Sequence, residues 1–305
     1  SGPASWCPGP PSVGEEGSGM LRRWRLWLQI SRPGLWFVTL WLYLLPVGGW
    51  PARVTPAFLA GLAFVTFPLG LLVYGWNDRV DAGTDRQNPR KGSWLFGAQA
   101  DDGTLDHLPR VMALVTALGF APLVLLDGPR QLLVLAGIVA VCALYNREPG
   151  GWRGRPPLEL LCQIGYLLVV PLSAWLNDVP PPPLATWLYL WLFTLQAQLM
   201  GEVMDVTPDR AAGRRTTATT LGVRRTKLLV MALVAAEALL LALRFREPVF
   251  AGALGLFFVW LVLDRFVVFG GRDYTLTQLR VFGVGSNLMA VASMAWVGWT
   301  GCLLR

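Results

Sequence analysis

Long runs of apolar residues recur along the chain, and they restrict its fold more than any other feature. Each run has about 17–23 residues, enough for a helix to cross the ~30 Å hydrocarbon core of a bilayer. Because lipid offers no hydrogen-bond partners, the backbone inside it must satisfy its own polar groups, and a helix does so. The runs lie near residues 33–50, 56–76, 110–127, 129–146, 157–176, 184–204, 228–244, 248–269 and 280–302.

These runs predict an all-α polytopic membrane protein with about nine transmembrane helices in one bundle. The composition agrees, since only 15% of the residues are charged, against about 25% in a soluble domain. Residues 1–20 are rich in Gly, Pro and Ser, and we predict that they form a disordered segment. A single transmembrane domain is expected over residues 21–305.

The basic residues are unevenly divided between the two faces of the predicted bundle. With nine helices, 21 of the 26 Lys and Arg residues fall on the face that also holds the N-terminus. Excess positive charge marks the cytoplasmic side of a membrane protein. We therefore predict a multi-pass protein with its N-terminus and charged loops on the cytoplasmic side, or the side equivalent to it. The net charge of +7 then reflects orientation in a lipid bilayer, and no nucleic acid partner is expected.

Two groups of three acidic residues with identical spacing each follow an apolar run on that charged face. The spacing i, i+3, i+7 places the members of a group on one face of a helix. Each group therefore forms an acidic stripe at a helix end, and two stripes on the same membrane face can converge. The groups are Asp78, Asp81 and Asp85 after the second run, and Glu202, Asp205 and Asp209 after the sixth.

Acidic stripes that face each other near lipid repel unless counter-charge is supplied. Mg²⁺ suits this role, because it is typically held by one or two carboxylates while it keeps water and phosphate oxygens as further ligands. The same loops are rich in Arg, whose guanidinium group binds phosphate oxygens in a bidentate manner. Acids for a metal and bases for phosphate, at the end of an apolar bundle, predict a site for a lipid diphosphate.

The two acidic groups resemble the motifs of the UbiA superfamily of intramembrane prenyltransferases. The first motif of that family, NDxxDxxxD, is matched in full by residues 77–85, and the second, DxxxD, is matched by residues 205–209. The resemblance extends over about residues 30–302, almost the whole predicted domain. The loop sequences DRQNPRKG and PDRAAGRRTTATTLG are most similar to the branch that contains the lycopene elongases.

A third family motif, YSxPPxRxK, is matched only in part, by residues 145–153. Tyr145 and Pro149 are kept, whereas Gly151 stands where the family has Arg and Arg153 stands where it has Lys. The phosphate contacts of this loop are therefore expected to differ from those of the family.

The resemblance implies a bundle around a central, lipid-facing cavity and a Mg²⁺-dependent enzyme, with Mn²⁺ as a substitute ion. Such an enzyme moves a prenyl group from an isoprenoid diphosphate to a hydrophobic acceptor through an allylic carbocation. The acceptor would be a carotenoid or other isoprenoid, or an aromatic quinone or pigment precursor. The residues expected to act in catalysis are Asn77, Asp78, Asp81, Asp85, Tyr145, Asp205 and Asp209, and the five aspartates among them would hold the metal. The residues expected to bind the diphosphate are Arg86, Lys91, Arg147, Arg153 and Arg210.

Two other functions fit the same residues. A terpene synthase of the same superfamily would capture the cation with an alkene of its own substrate, and it would need no room for a second molecule. A transporter or scaffold would use the acids structurally, although acids with a transport role usually lie within a span rather than at its end. Arg214 and Arg215 fit either phosphate or anionic lipid, and Glu202 is expected to support the other acids.

Overall fold

The computed structural model describes residues 13–51, 53–85, 88 and 90–305, and the regular structure in this part of the chain is helical. Short 3-10 turns lie at Pro33–Leu35 and Trp152–Gly154, and a π-helical turn lies at Asp264–Val268. The first half contains α1 (Val13–Ile30), α2 (Trp36–Leu44), α3 (Pro56–Phe64), α4 (Phe67–Val80), α5 (Ala82–Asp85), α6 (Asp102–Asp127) and α7 (Gln131–Asn146). The second half contains α8 (Leu158–Leu161), α9 (Ile164–Leu167), α10 (Val169–Leu176), α11 (Leu184–Met204), α12 (Val206–Ala211), α13 (Thr217–Leu221), α14 (Val223–Leu243), α15 (Pro248–Leu263) and α16 (Leu276–Thr300).

The prediction of an all-α polytopic membrane protein is confirmed, although the count of nine spans is not. Among the described residues, six helical segments are long and apolar enough to cross a membrane. Two of them are interrupted, since α3 and α4 form one segment and α8 to α10 form another. The six are Pro56–Val80, Asp102–Asp127, Leu158–Leu176, Val223–Leu243, Pro248–Val268 and Leu276–Thr300.

The other three predicted spans are shorter or more polar than a standard transmembrane helix. Helix α2 has 9 residues and α7 has 16, fewer than the ~20 residues that cross a bilayer without tilt or thinning. Helix α11 has 21 residues but includes Gln196, Gln198 and Glu202. These polar side chains lower its mean hydropathy, and two of them, Gln198 and Glu202, hydrogen-bond to each other at the acidic end of the bundle.

Side-chain caps determine where several helices begin. The Thr55 hydroxyl accepts a hydrogen bond from Phe58 N at 3.0 Å ahead of α3, and the Asp101 carboxylate accepts one from Thr104 N at 2.8 Å ahead of α6. Helix α6 therefore begins at Asp102, before the predicted start at 110. Helix α1 begins at Val13, inside the segment predicted to be disordered, while residues 1–12 lie outside the described residues.

The helices pack on a shared core, and the last two helices show their apolar sides to the outside. In the core the Tyr43 hydroxyl donates to Phe58 O at 2.9 Å. A side chain at Gly61 would lie 2.3 Å from that hydroxyl, so the close approach of α3 requires glycine. On the outside Leu256 is 75% exposed and Trp299 is 83% exposed. An apolar surface of this extent is expected to face lipid.

Candidate active site

The two acidic groups end their helices in the same way. Helix α4 stops at Asp81, with φ −87° and ψ 4°, and α11 stops at Asp205, with φ −102° and ψ 4°. Helical hydrogen bonding nevertheless continues across both breaks, because Asp85 N donates to Asp81 O and Asp209 N donates to Asp205 O, each at 2.9 Å. The acids of each group therefore stay close to one helical face, as their spacing predicted.

Arginine side chains join the two acidic groups to each other. The Nη1 atom of Arg214 donates to Asp209 Oδ1 at 3.0 Å, and its Nη2 atom contacts Asp81 Oδ1. Arg90, from the loop after the first group, contacts Asp205 of the second. The structure thus brings the two stripes to a single site, although they are far apart in the sequence.

Asp78 is the deepest acid of the first group, with 4% of its side chain exposed. Its Oδ1 atom accepts hydrogen bonds from Arg32 Nη2 and Lys91 Nζ, both at 2.6 Å. Lys91 also pairs with Asp85 Oδ2 at 2.7 Å. Burial lowers the pKa of Lys91, and the neighbouring Arg32 lowers it further while Asp78 raises it. Burial likewise raises the pKa of Asp85, against the opposing effect of Lys91.

Arg32, which was not predicted from the sequence, enters the site from the turn that follows α1. Its backbone is left-handed, with φ 52° and ψ 69°, a conformation that costs a non-glycine residue about 1 kcal/mol. In this conformation its guanidinium group lies 4.7 Å from the centre of the Tyr74 ring while it pairs with Asp78. The Tyr74 hydroxyl in turn lies 3.2 Å from the Tyr166 hydroxyl. Aromatic and cationic groups therefore lie together just below the acids.

In the second acidic group, burial and a neighbouring acid make the ionised form of a carboxylate less favourable. The pKa of Asp209 is raised to about 6, chiefly by burial, while Arg214 lowers it and Asp205 raises it. A carboxylate in such a site gains from additional positive charge, which a bound cation would supply.

The oxygen atoms at the site suit Mg²⁺ better than a softer metal. Among the described residues, no three acidic, His or Cys side chains lie close enough to hold an ion unaided. However, Asn77 Oδ1 and Asp78 Oδ2 are buried and have no hydrogen-bond partner among the described residues. Mg²⁺ needs only one or two carboxylates when water and phosphate oxygens complete its shell. The residues therefore fit Mg²⁺ that binds together with a diphosphate.

The residues predicted to bind diphosphate fall into three groups. Lys91 pairs with acids of the site, as described above, and Arg153 contacts Asp81. Arg147 and Arg210 are exposed, and neither forms an ion pair with a described residue. Arg210 instead lines a separate surface cavity of about 330 Å³. Arg86 lies outside the described residues.

The third motif folds back tightly on the end of α7, which accounts for its glycine. Gly151 N donates to Arg147 O at 2.7 Å, and a side chain at Gly151 would lie 2.5 Å from Tyr145 O. No larger residue fits there, so the family's arginine has no room at this position. Arg153 reaches the acids instead, and its Nη1 atom lies 3.5 Å from Asn146 Oδ1. Tyr145 is partly buried beside this turn.

Two buried carboxylates hold the segment that follows the second acidic group. Glu159 Oε1 accepts hydrogen bonds from the backbone N and the hydroxyl of Thr217, both at 2.7 Å. Glu202 Oε2 accepts one from Ala218 N at 3.1 Å. These bonds cap α13 and so fix the loop that carries Arg214. Glu202 therefore contacts the segment that follows Arg214, whereas the sequence had predicted that it supports the other acids.

Replacing Glu159 tests this capping role. The Glu159→Gln variant keeps the accepting oxygen, and we expect its unfolding free energy to stay within about 0.5 kcal/mol of that of the parent. The Glu159→Leu variant leaves two buried donors of Thr217 without an acceptor, and we expect a loss of about 2 kcal/mol. Thermal unfolding in detergent, followed by Trp fluorescence, measures both changes. A Leu variant as stable as the parent would contradict the assignment.

The chain is similar in sequence to a known protein family and to curated proteins within it. The model of the UbiA prenyltransferase family matches residues 35–282 of the chain. A lycopene elongase/hydratase from Corynebacterium glutamicum is 28% identical over 214 residues, which cover 67% of this chain and 72% of that protein. A lycopene elongase/hydratase from Haloferax volcanii is 32% identical over 209 residues, 65% of each chain.

A solved structure shares the architecture. It is a UbiA homologue from Archaeoglobus fulgidus bound to DMAPP and Mg²⁺, and it superposes with a TM-score of 0.66 at 17% sequence identity. The alignment covers 90% of this chain and 99% of that one. At this identity the likeness establishes a common fold.

Proposed function

The chain belongs to the UbiA prenyltransferase family, and from this premise we propose that it joins a prenyl group from an isoprenoid diphosphate to a long apolar acceptor of the carotenoid class. The observation that carries the proposal is the contact of Arg214 with both acidic groups, which creates one site with acids and bases interleaved. The acceptor class is supported by the relatives named lycopene elongase/hydratase. The donor class is supported by the structural neighbour bound to DMAPP and Mg²⁺.

The basic side chains would bind the diphosphate by exchanging partners. Lys91, Arg153 and Arg214 now pair with aspartates of the site, and each is placed to turn toward phosphate oxygens that arrive between the two groups. Arg32 and Arg90 flank the same space. Because guanidinium and ammonium groups stabilise a leaving diphosphate as its charge grows, these residues lower the barrier to C–O cleavage.

The aspartates released by that exchange would hold the metal. When bound there, Mg²⁺ neutralises charge on the diphosphate and so assists its departure; Mn²⁺ shares the preference for oxygen ligands and would serve as a substitute. Asn77, whose buried Oδ1 atom has no partner among the residues that the structure describes, would orient a water or phosphate oxygen beside Asp78. The residues that would hold the ion are Asp78, Asp81, Asp85, Asp205 and Asp209.

The apolar interior and its aromatic rings would then protect the cation. Cleavage leaves the bonding electron pair on the diphosphate and a positive charge on the allylic carbon. Tyr74 and Tyr166 lie one turn below the acids, where ring faces can stabilise such a charge. Tyr145, beside the turn that follows α7, would add a third ring. The double bond of the acceptor supplies the electrons for the new C–C bond and leaves a cation on the adduct. The adduct then loses a proton to give an alkene, or adds water and loses a proton from it to give an alcohol.

We also propose that the acidic site faces the cytoplasm or its topological equivalent. With the nine spans predicted from the sequence, most basic residues lie on the face of the acidic groups, and positive charge accumulates on the cytoplasmic side of a membrane. A soluble isoprenoid diphosphate would then reach the site without crossing the bilayer.

Turnover in nanodiscs tests the function. Purified protein is incubated with Mg²⁺ and labelled diphosphates of one to four isoprene units, with and without a carotenoid acceptor, and products are identified by mass spectrometry. We expect diphosphate release that requires the acceptor and a product heavier than the acceptor by whole prenyl units. Release without acceptor, with a cyclised hydrocarbon as the product, would point to a terpene synthase. Diphosphate binding without any release would contradict an enzymatic role and favour a transporter or scaffold.

A further inference from the structure

We propose that Lys227, Asp264 and Tyr274 form a buried anchor that positions the second acidic group, and so set the affinity of the site for metal and diphosphate. The proposal rests on the function proposed above for that site. None of the three residues belongs to a motif of the active site. They are positioning residues, because they act on Asp205 and Asp209 through the short helix α12.

The anchor is an ion pair almost completely removed from solvent. Lys227 Nζ lies 2.6 Å from Asp264 Oδ2, and the two side chains are 1% and 2% exposed. The Tyr274 hydroxyl donates to Asp264 Oδ1 at 2.9 Å, and its ring centre lies 4.7 Å from Lys227 Nζ. Burying two charges is costly unless further hydrogen bonds complete the pair. Tyr274 provides that bond, so its position is tied to the ion pair.

The anchor also shapes the backbone that leads to Tyr274. Asp264 opens the π-helical turn at the end of α15. Its carbonyl accepts hydrogen bonds from Phe269 N at 3.0 Å and Gly270 N at 2.8 Å. The chain therefore turns sharply back after α15. The segment 271–275 is thereby directed across the end of α14 toward α12.

That segment touches α12 at two adjacent positions. The Tyr274 ring packs against a small apolar cluster that includes Val203 of α11 and Val206 of α12, which flank the break at Asp205. The carboxylate of Asp273 accepts a hydrogen bond from the Thr207 hydroxyl at 2.5 Å. Thr207 is about 200° around the helix from Asp209, whereas Val206 is only about 60° from it. The loop therefore contacts α12 both beside Asp209 and opposite it, while Asp209 pairs with Arg214.

Helix α12 needs such support because it has only 6 residues. Isolated helices of this length are unstable in water, and their geometry depends on tertiary contacts. The acids of this segment pair with Arg90 and Arg214, and these pairs would change when ligands bind. The anchor instead contacts α12 through Val206 and Thr207, which carry no charge. It can therefore keep Asp205 and Asp209 aligned while their charged partners exchange.

Hydrogen–deuterium exchange on the full chain in nanodiscs tests the anchor directly, without any need for turnover. The Tyr274→Phe variant removes one hydroxyl, and the Thr207→Val variant removes only the exposed link. We expect amides of residues 205–212 to exchange about fivefold faster in Tyr274→Phe, the factor that the loss of one hydrogen bond allows, and somewhat less in Thr207→Val. Matched controls are Tyr43→Phe and Thr300→Val, which remove similar bonds far from α12. The controls should leave exchange at 205–212 unchanged.

The same variants give a second readout in ligand titrations. The unfolding temperature is measured in the presence of inorganic diphosphate while the Mg²⁺ concentration is varied. We expect the Mg²⁺ concentration at half of the maximal stabilisation to be about fivefold higher in Tyr274→Phe than in the parent. Where turnover is measured, kcat at saturating Mg²⁺ should remain within about twofold of the parent. Unchanged exchange at 205–212 in both variants would overturn the proposal, even if prenyl transfer is demonstrated. Faster exchange in the two variants, together with a parent chain that shows no prenyl transfer, would support the anchor and contradict the proposed function.

Discussion

Replacing Asp78 with Asn is expected to lower the rate of diphosphate release by about 10²–10³-fold, the loss that follows removal of one strong electrostatic group from an active site. Asp78 is the most deeply placed acid of the first group, and its buried Oδ2 atom has no hydrogen-bond partner in the part of the chain that the structure describes. Asn has nearly the same shape as Asp but lacks the negative charge with which Asp78 is proposed to hold the metal. It also leaves Arg32 and Lys91 with a neutral partner. Release of labelled diphosphate in nanodiscs at saturating Mg²⁺ measures the effect.

The matched control for this substitution is Asp127→Asn. Asp127 also pairs with an arginine, Arg130, at the turn between α6 and α7 and away from the acidic groups. We expect the control to keep at least about half of the parent rate, because a surface ion pair contributes little. An Asp78→Asn variant that kept more than about a tenth of the parent rate would contradict the role of this residue in holding the metal.

Replacing Arg214 with Leu should lower kcat/KM by about 10²-fold or more, because one guanidinium group contacts both acidic groups and is placed to bind the diphosphate. The Arg214→Lys variant keeps the charge but has a single ammonium group in place of a planar fork. We expect that variant to recover only part of the loss, since Lys cannot reproduce bidentate binding. Steady-state kinetics with varied donor concentration separates the two variants from the parent.

The neighbouring Arg215 provides a control with the same charge and the same loop. Its side chain is exposed, and it forms no ion pair with a described residue. Arg215→Gln should therefore retain the parent kcat/KM within about twofold. Equal losses in Arg214→Leu and Arg215→Gln would indicate that the loop contributes only general positive charge, and would contradict the bridging role of Arg214.

The convergence of the acidic groups was predictable because it depends on local spacing. Residues at i, i+3 and i+7 share a helical face wherever the helix lies, and two spans that end on the same membrane face bring their ends together. The sequence did not reveal the helix breaks at Asp81 and Asp205. These breaks leave the hydrogen bonding almost continuous, so the prediction of a single face survived them.

The partners of the acids were less predictable, because they come from distant segments. Arg32 lies 46 positions from Asp78, and in the sequence it is one of several arginines beside an apolar run. Its left-handed backbone is what turns it inward. Arg147 and Arg210 were predicted in the site because they are adjacent to motif residues, yet both are exposed. Two residues that are adjacent in a turn can point their side chains in different directions, so the sequence does not show which arginine enters the site. The glycine at position 151 is more informative, because the backbone passes there too closely for any side chain.

The number of long apolar helices among the described residues is smaller than the number of spans predicted from the sequence, for a physical reason. Hydropathy measures how a segment partitions into lipid, but α11 contacts other helices with its polar side and must carry Gln198 and Glu202 to hold the loop after the acids. Helices that line a polar site are therefore less apolar than those that face lipid. Helices α15 and α16, at the periphery, show the opposite composition.

The pairing of acids with bases inside the site has a consequence for how the binding of the proposed metal and the binding of the proposed diphosphate depend on each other. Among the described residues, five aspartates pair with five basic side chains across the two groups. A cation that binds the aspartates displaces the bases, and a phosphate that binds the bases displaces the aspartates. Each ligand therefore frees the groups that the other one needs. Their affinities are thermodynamically coupled, and by linkage the coupling is equal in both directions. Such a site favours the metal–diphosphate complex over either component alone, and it discriminates against phosphates that arrive without a metal.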